Sequence, residues 1–239
     1  MLFILRQLRR LELRKRSGQY FVYAVGEVVL IVIGILIALQ IQNWNENRLE
    51  RIEEGYVLRE LVDNLNEEAD RLQQGLDGIN QQAKSVEIIQ GFYHDRSYTQ
   101  EEFEANLGWY IGQFGFHPIN SAYETMKATG LGFSNRQLKA ELVHYYDRMH
   151  QVLLLSIETQ RSFVTDEIRP LFLRHLKSFG VYRESAIPRD IEDPEFKDTI
   201  LRQIVLYRNI LIRNRDAIQN TLNKNQEILT LVEKELEDV

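Results

Sequence analysis

The residues best suited to proton transfer or metal binding in this 239-residue chain are five histidines, His94, His117, His144, His150 and His175. His144 and His150 are six apart, which on a helix turns them to opposite faces and away from a shared metal ion. The others are scattered, and each reads as an ordinary surface or packing histidine. The carboxylate pairs Glu53–Glu54 and Glu67–Glu68 are neighbours in sequence. On a helix such neighbours diverge, so solvated faces explain them better than a general acid and base flanking one bond. No phosphate-binding Walker loop, dinucleotide glycine fingerprint, G-x-S-x-G elbow or H-E-x-x-H pair occurs. The chain has no cysteine, which excludes disulfides, iron–sulfur clusters and thiolate zinc sites. No catalytic, cofactor-binding or metal-binding residue is therefore expected.

Two other groups have the composition of a binding surface. Trp109, Tyr110, Phe114 and Phe116, followed by Tyr123, Glu124 and Lys127, combine aromatic area with a few polar groups, as ligand or partner sites do. The same stretch serves equally as a cap closing one end of a helical bundle. Arg202, Arg208, Arg213 and Arg215 would bind a carboxylate or phosphate if buried together, and form a solvated face if exposed.

A long apolar run must be placed first. Residues 20–43 read YFVYAVGEVVLIVIGILIALQIQN, apolar from Phe21 to Ile41 except for Glu27 and Gln40. At 1.5 Å per residue, this spans about 30 Å, the thickness of a bilayer's hydrocarbon core. Tyr20, Tyr23 and Trp44 sit near its ends, where amphipathic rings favour the headgroup layer. A cleaved signal peptide is disfavoured because no small-x-small site follows. Six basic residues against Glu12 give residues 1–20 a charge of +5, so the remaining 219 residues carry −11 of the net −6. The basic flank predicts a cytoplasmic N-terminus and an extracytoplasmic body, periplasmic in a cell with two membranes. An acidic body argues against nucleic-acid binding.

Glu27 is costly within such a span and is by default a functional candidate. Gly34, Ala38 and Ile41 each fall within about 40° of Glu27 on a helical wheel. Gly34-x-x-x-Ala38 is a small-xxx-small pair that lets two helix backbones approach. This predicts a transmembrane interface with a second copy or another membrane protein. The alternative is that Glu27 snorkels to the headgroups.

The strings Tyr23 to Glu27 (YAVGE), Ile33 to Gln40 (IGILIALQ) and Asn43 to Glu46 (NWNE) resemble the signature of a family of uncharacterised bacterial single-pass membrane proteins, a domain of unknown function. Ser121-Ala122-Tyr123-Glu124 through Lys127 and Gly130 resembles a second, weaker element of that family. The resemblance implies a shared anchor and no activity. Because Glu27 lies inside the matched string, it favours a functional role for that residue.

Beyond the span, Leu58, Leu65, Leu72, Ile79, Val86 and Tyr93 recur every seven residues. Val62, Ala69, Leu76 and Ala83 stand four later, together reading as an a/d seam. Gly75 and Gly78 weaken this helix. Thr99 to Glu102 is a capping box, Asn120 or Ser121 can cap a short helix ending at Gly130, and Ser134 or Asn135 a longer one. Pro170 kinks or ends that longer helix, and residues 183–190 read as a polar loop. Asp193-Pro194-Glu195 opens the last helix. Ile204, Leu211, Ile218, Asn225 and Val232 hold heptad spacing within it.

The expected organisation is a basic leader at 1–19, a transmembrane helix at 20–43 and a helical domain at 44–239. Its long helices fall at about 44–93, 135–178 and 194–237. The fold class is all-α, a single N-terminal span followed by a membrane-anchored antiparallel bundle or coiled coil. The expected role is a non-enzymatic scaffold or accessory subunit. Its partners are the lipid bilayer and either a second copy or a membrane protein. The alternative is an extracytoplasmic ligand-sensing module that relies on a partner for output.

Overall fold

No proline precedes Pro118, so nothing removes a backbone donor from the first helical run. Helix α1 accordingly extends from Leu2 to His94. The computed structural model describes residues 2–130, 135–179 and 185–237, giving backbone alone for 2–24 and 179. Among the described residues the fold is all-α apart from a two-stranded antiparallel sheet, and the chain divides into two compact units, residues 1–53 and 54–239.

In the first unit, α1 carries the one stretch among the described residues that is long and apolar enough to cross a membrane. Its side chains from Val25 onward, including Glu27, Gly34, Ala38 and Ile41, are exposed. The side chains of the basic leader and of Tyr20 and Tyr23 lie outside the described residues.

The second unit is a four-membered bundle. Member one is α1 from Glu54 onward. Member two is broken, with α2 (Gln100–Tyr110), an extended stretch, and α3 (Ser121–Thr129). Member three joins α4 (Arg136–Val143), α5 (His150–Phe163) and α6 (Arg169–His175) through two π-helical segments, His144–Met149 and Val164–Ile168. Member four is α7 (Pro194–Glu237). Hydrogen bonds fix the directions. Member two returns along α1, because Asn106 meets Ser85 and Ser121 meets Asn64. Member three rises beside α1, with Glu68 at Tyr145 and Gln82 at Gln160. Helix α7 descends, with Gln203 at Glu167, Asn214 at Gln160 and Asn225 at Leu65. Consecutive members are antiparallel, and the first and third are therefore parallel.

Local chemistry sets most boundaries. Thr99 and Glu102 form a reciprocal capping box. The Asp193 carboxylate accepts the Phe196 N–H at 2.9 Å to open α7. Gly130 closes α3 at φ 78°, a left-handed conformation that suits glycine. Asn135 caps α4 through the N–H groups of Gln137 and Leu138; Ser134 lies outside the described residues. Asn120 precedes α3 without a side-chain cap, and the Ser121 hydroxyl donates to Glu60 instead.

Several expectations need correcting. Member three ends at His175, where the chain turns into β1 (Leu176–Phe179), antiparallel to β2 (Ala186–Pro188). Part of the expected polar loop is thus strand, too short for alternation to announce it. The Val62/Ala69/Leu76/Ala83 seam is not the deeper one. The positions three after Leu58, Leu65, Leu72, Ile79 and Val86 are more buried: Leu61, Glu68, Gly75, Gln82 and Ile89. Gly75 also admits the Phe114 ring, since a Cβ there would stand 2.5 Å from it.

Candidate functional site

Glu68 was expected on a solvated face, yet its side chain is fully buried. The reason is the helical phase, since Leu61, Leu65 and Leu72 occupy the same face and carry Glu68 inward with them. The Tyr145 hydroxyl donates to Glu68 Oε1 at 2.7 Å, and the Ile119 N–H reaches Oε2 at 3.4 Å. His150 Nε2 stands 2.6 Å from the same Oε1. Although this is an ion-pair distance, Nε2 makes no directed hydrogen bond, so we take Tyr145 as the directed donor. The Asn225 amide donates to the Tyr145 hydroxyl at 2.9 Å and to the Leu65 carbonyl at 3.1 Å. All four bundle members contribute to this layer. It separates two apolar clusters, one centred on Leu58, Met126, Leu142 and Ile228, the other on Leu72, Leu107, Leu153 and Leu211.

A second polar layer lies within the larger cluster. Gln160 donates to Gln82 Oε1 at 2.8 Å and to the Tyr207 hydroxyl at 3.0 Å, with the Gly112 carbonyl at 3.3 Å. Asn214 donates to Gln160 Oε1 at 2.6 Å and accepts from Ser156. Again all four members contribute.

The π segments explain how member three supplies these groups. A π turn inserts one residue into the helical period. The first segment turns both Tyr145 and Tyr146 inward and still delivers His150 to the core. The second leaves the Glu167 carbonyl to accept from the Gln203 amide at 2.7 Å.

Burial pushes the Tyr145 and Tyr146 phenols well up, with the Glu68 charge acting in the same direction. Burial also raises Tyr110, and raises Tyr123 together with its hydrogen bond to Asp147. These phenols stay neutral and serve as donors or packing groups. Glu68, Tyr145 and His150 are all buried, with their side chains almost wholly removed from solvent. A shifted alignment of the helices would leave these buried polar groups unpaired.

The aromatic stretch is split by the fold. Phe116 packs edge-on to His150 at 5.3 Å, and Tyr123 stacks on Tyr146 at 4.6 Å, so both surround the Glu68 layer. Phe114 is half-buried against Gly75. Tyr110 goes elsewhere, against Tyr207 and Phe172. Trp109 is half-buried. Glu124 and Lys127 remain exposed; Lys127 lies 3.4 Å from Glu124, 3.9 Å from Asp147 and over the Tyr123 ring. Arg202, Arg208, Arg213 and Arg215 are exposed. His144 is exposed and His150 buried. Sequence reasoning missed Glu68, Gln82, Gln160 and Asn214. Asn225 did carry a signal, as a polar residue at a heptad position among aliphatic ones.

A family model described as a family of unknown function, DUF6090, matches residues 27–158, more than half of the chain. The match contains Glu27, Glu68, Tyr145 and His150 and excludes α7 with Asn225. Comparison with the curated proteins and with the solved structures finds no match.

Proposed function

We propose, for a chain that belongs to DUF6090, a family of unknown function, the role of a non-enzymatic membrane-anchored scaffold or accessory subunit. It recognises its partner through helix α1 and through its bundle. The supporting observation is the division of labour among its side chains. The groups with acid–base chemistry, Glu68 and His150, are sealed in the core, while exposed apolar area lies on α1 from Val25 to Ile41 and on α5 and α7. Surfaces for association are what the chain offers to its surroundings.

In this reading the chain crosses the plasma membrane once, as in the bacterial single-pass proteins it resembles. The basic leader stays in the cytoplasm and the acidic body stands outside, in the periplasm of a cell with two membranes. Glu27, Gly34, Ala38 and Ile41 form the membrane seam, where the Glu27 carboxyl gains an interhelical hydrogen bond that lipid does not offer. Such bonds contribute about 1–2 kcal/mol in model peptides.

A transmembrane two-hybrid assay tests the seam. Glu27→Leu removes the bond, and Gly34→Leu separates the backbones. A Cβ at Gly34 meets nothing within 4 Å in its own chain, so that change strains no intrachain packing. Both are expected to weaken association, with Val29 and Leu36 substitutions as controls on the far side. Parental association by both variants would reject the seam. Separately, a phosphatase fused at the C-terminus is expected to be active; activity only from a cytosolic reporter there would reverse the topology.

A further inference from the structure

Helices α5 and α7 leave an outer groove of about 410 Å³ between them, lined by Val152, Leu155, Thr159, Ile210, Arg213 and Ala217. Val152 is 63% exposed and Leu155 70% exposed. Leu206, one turn before Ile210 on the same stripe of α7, is 60% exposed. These side chains face outward although the core beneath them is complete, with Leu153, Ile157, Leu211 and Ile218 buried. The groove is therefore surplus to the fold of the bundle.

We infer that this groove is the contact face of the extramembrane domain with a second copy of the chain, an inference that rests on the scaffold reading above and deepens it. Charge placement points to a copy rather than to a foreign ligand. Arg213 and Asp216 are the charged residues of the groove, one of each sign, so it has no net attraction for a charged ligand. A copy supplies its own complement. The Ser156 hydroxyl donates to Asn214, and Asn214 donates to Gln160. Glu158, midway between Ser156 and Gln160, therefore stands level with Asn214 and its neighbour Arg213. A twofold axis running along the bundle keeps levels matched between copies and sets Glu158 of each against Arg213 of the other, twice. In the free chain Glu158 meets Arg161 at 3.2 Å, and both are about half exposed. A surface pair of this kind contributes little and exchanges easily. The isologous contact buries Val152, Leu155 and Leu206 from both copies together. Anchoring in one bilayer raises the effective concentration, so a modest interface suffices.

The absence of cysteine from the chain makes the test clean. Full-length protein in lipid vesicles at a low protein-to-lipid ratio carries a single new thiol and meets a short thiol-specific crosslinker. Leu155→Cys is expected to yield crosslinked dimer. Asp77→Cys, exposed on α1 at a similar level, is expected to yield little. Equal yields at both positions, or none at Leu155→Cys, would overturn the groove interface. Ala38→Cys separates this from the membrane seam. A dimer there with none at Leu155→Cys means that the anchors pair and the groove does not; the converse keeps the groove and rejects the seam. Charge reversal then excludes a folding artefact. Arg213→Glu added to Leu155→Cys is expected to lower dimer formation about two- to thirtyfold, since both symmetry-related exposed ion pairs are lost. Adding Glu158→Arg is expected to restore it. Absence of rescue would reject the paired charges and with them the parallel twofold arrangement.

Discussion

Glu68 Oε1 faces two partners, the Tyr145 hydroxyl at 2.7 Å and His150 Nε2 at 2.6 Å, and each partner is itself buried. A carboxylate removed from water needs such partners, and here the Tyr145 hydroxyl and the Ile119 N–H donate to it while the imidazole lies alongside. Losing one member of such a set is costlier than the set is worth, because the remaining group stays buried without a partner. We therefore expect His150→Phe or Glu68→Met to destabilise the body by about 3 kcal/mol or more, a fall in melting temperature of roughly 6–12 °C for a domain of this size. The double replacement is expected to cost less than the sum, since the facing carboxylate and imidazole leave together and only the Tyr145 hydroxyl and the Ile119 N–H lose the Glu68 acceptor. Thermal melts of the excised body, residues 54–239, measure this, because both apolar clusters lie entirely within it. Strict additivity of the two changes would show that Glu68 and His150 do not act together.

Member three shows how an element can keep its phase through an insertion. Its buried positions run Leu138, Leu142, Tyr145 and Tyr146 side by side, then His150, Leu153, Ile157 and Gln160. The step from Tyr145 to His150 is one residue longer than a helical turn allows, and the π segment His144–Met149 absorbs it. Deleting exposed Arg148 is thus expected to convert the segment to α-helix with His150 still facing the core. Deleting Glu158, in regular α-helix, turns every later core residue by about 100° and is expected to abolish cooperative melting. Circular dichroism melts compare the two; equal damage would mean that the π segment carries no surplus residue. The same element marks where the sequence stops being readable. Caps were legible because Thr99, Asp193 and Asn135 act within three residues of themselves. The heptads of α1 and α7 were legible as aliphatic repeats. Glu68, Gln82 and Asn214 were not, because a polar residue at an inward position looks the same as one at an outward position until the opposing helix is known. The π segments and the β1–β2 hairpin depend on such partners too, and no local pattern announces them.

At the scale of the whole molecule the core holds Tyr110, Tyr145 and Tyr146 with their phenols raised by burial, and in the latter two also by Glu68. In the unfolded chain the same phenols ionise near the ordinary value of 10.0. The sign follows from linkage. A folded-state value above the unfolded one means that, beyond pH 10, the unfolded chain releases protons that the folded chain retains. Stability is therefore full below about pH 10 and falls as pH rises beyond it. Each retained proton costs up to about 1.4 kcal/mol per pH unit, and because the unfolded phenols are half ionised at pH 10, three buried phenols together remove about 3 kcal/mol between pH 10 and 11. That is a large share of a typical domain's stability. Denaturant midpoints of the body are expected to hold level from neutral pH to about 10 and then drop steeply. Phenolate absorbance from the buried set is expected to appear together with the loss of helix rather than before it. Tyr145→Phe separates the causes. It loses the Glu68 hydrogen bond and lowers stability at neutral pH, yet it removes one ionisable group and flattens the alkaline slope by about a third. Full phenolate titration near pH 10 with helicity intact would mean that these tyrosines reach solvent in the folded state, and the sealed core described above would then be wrong.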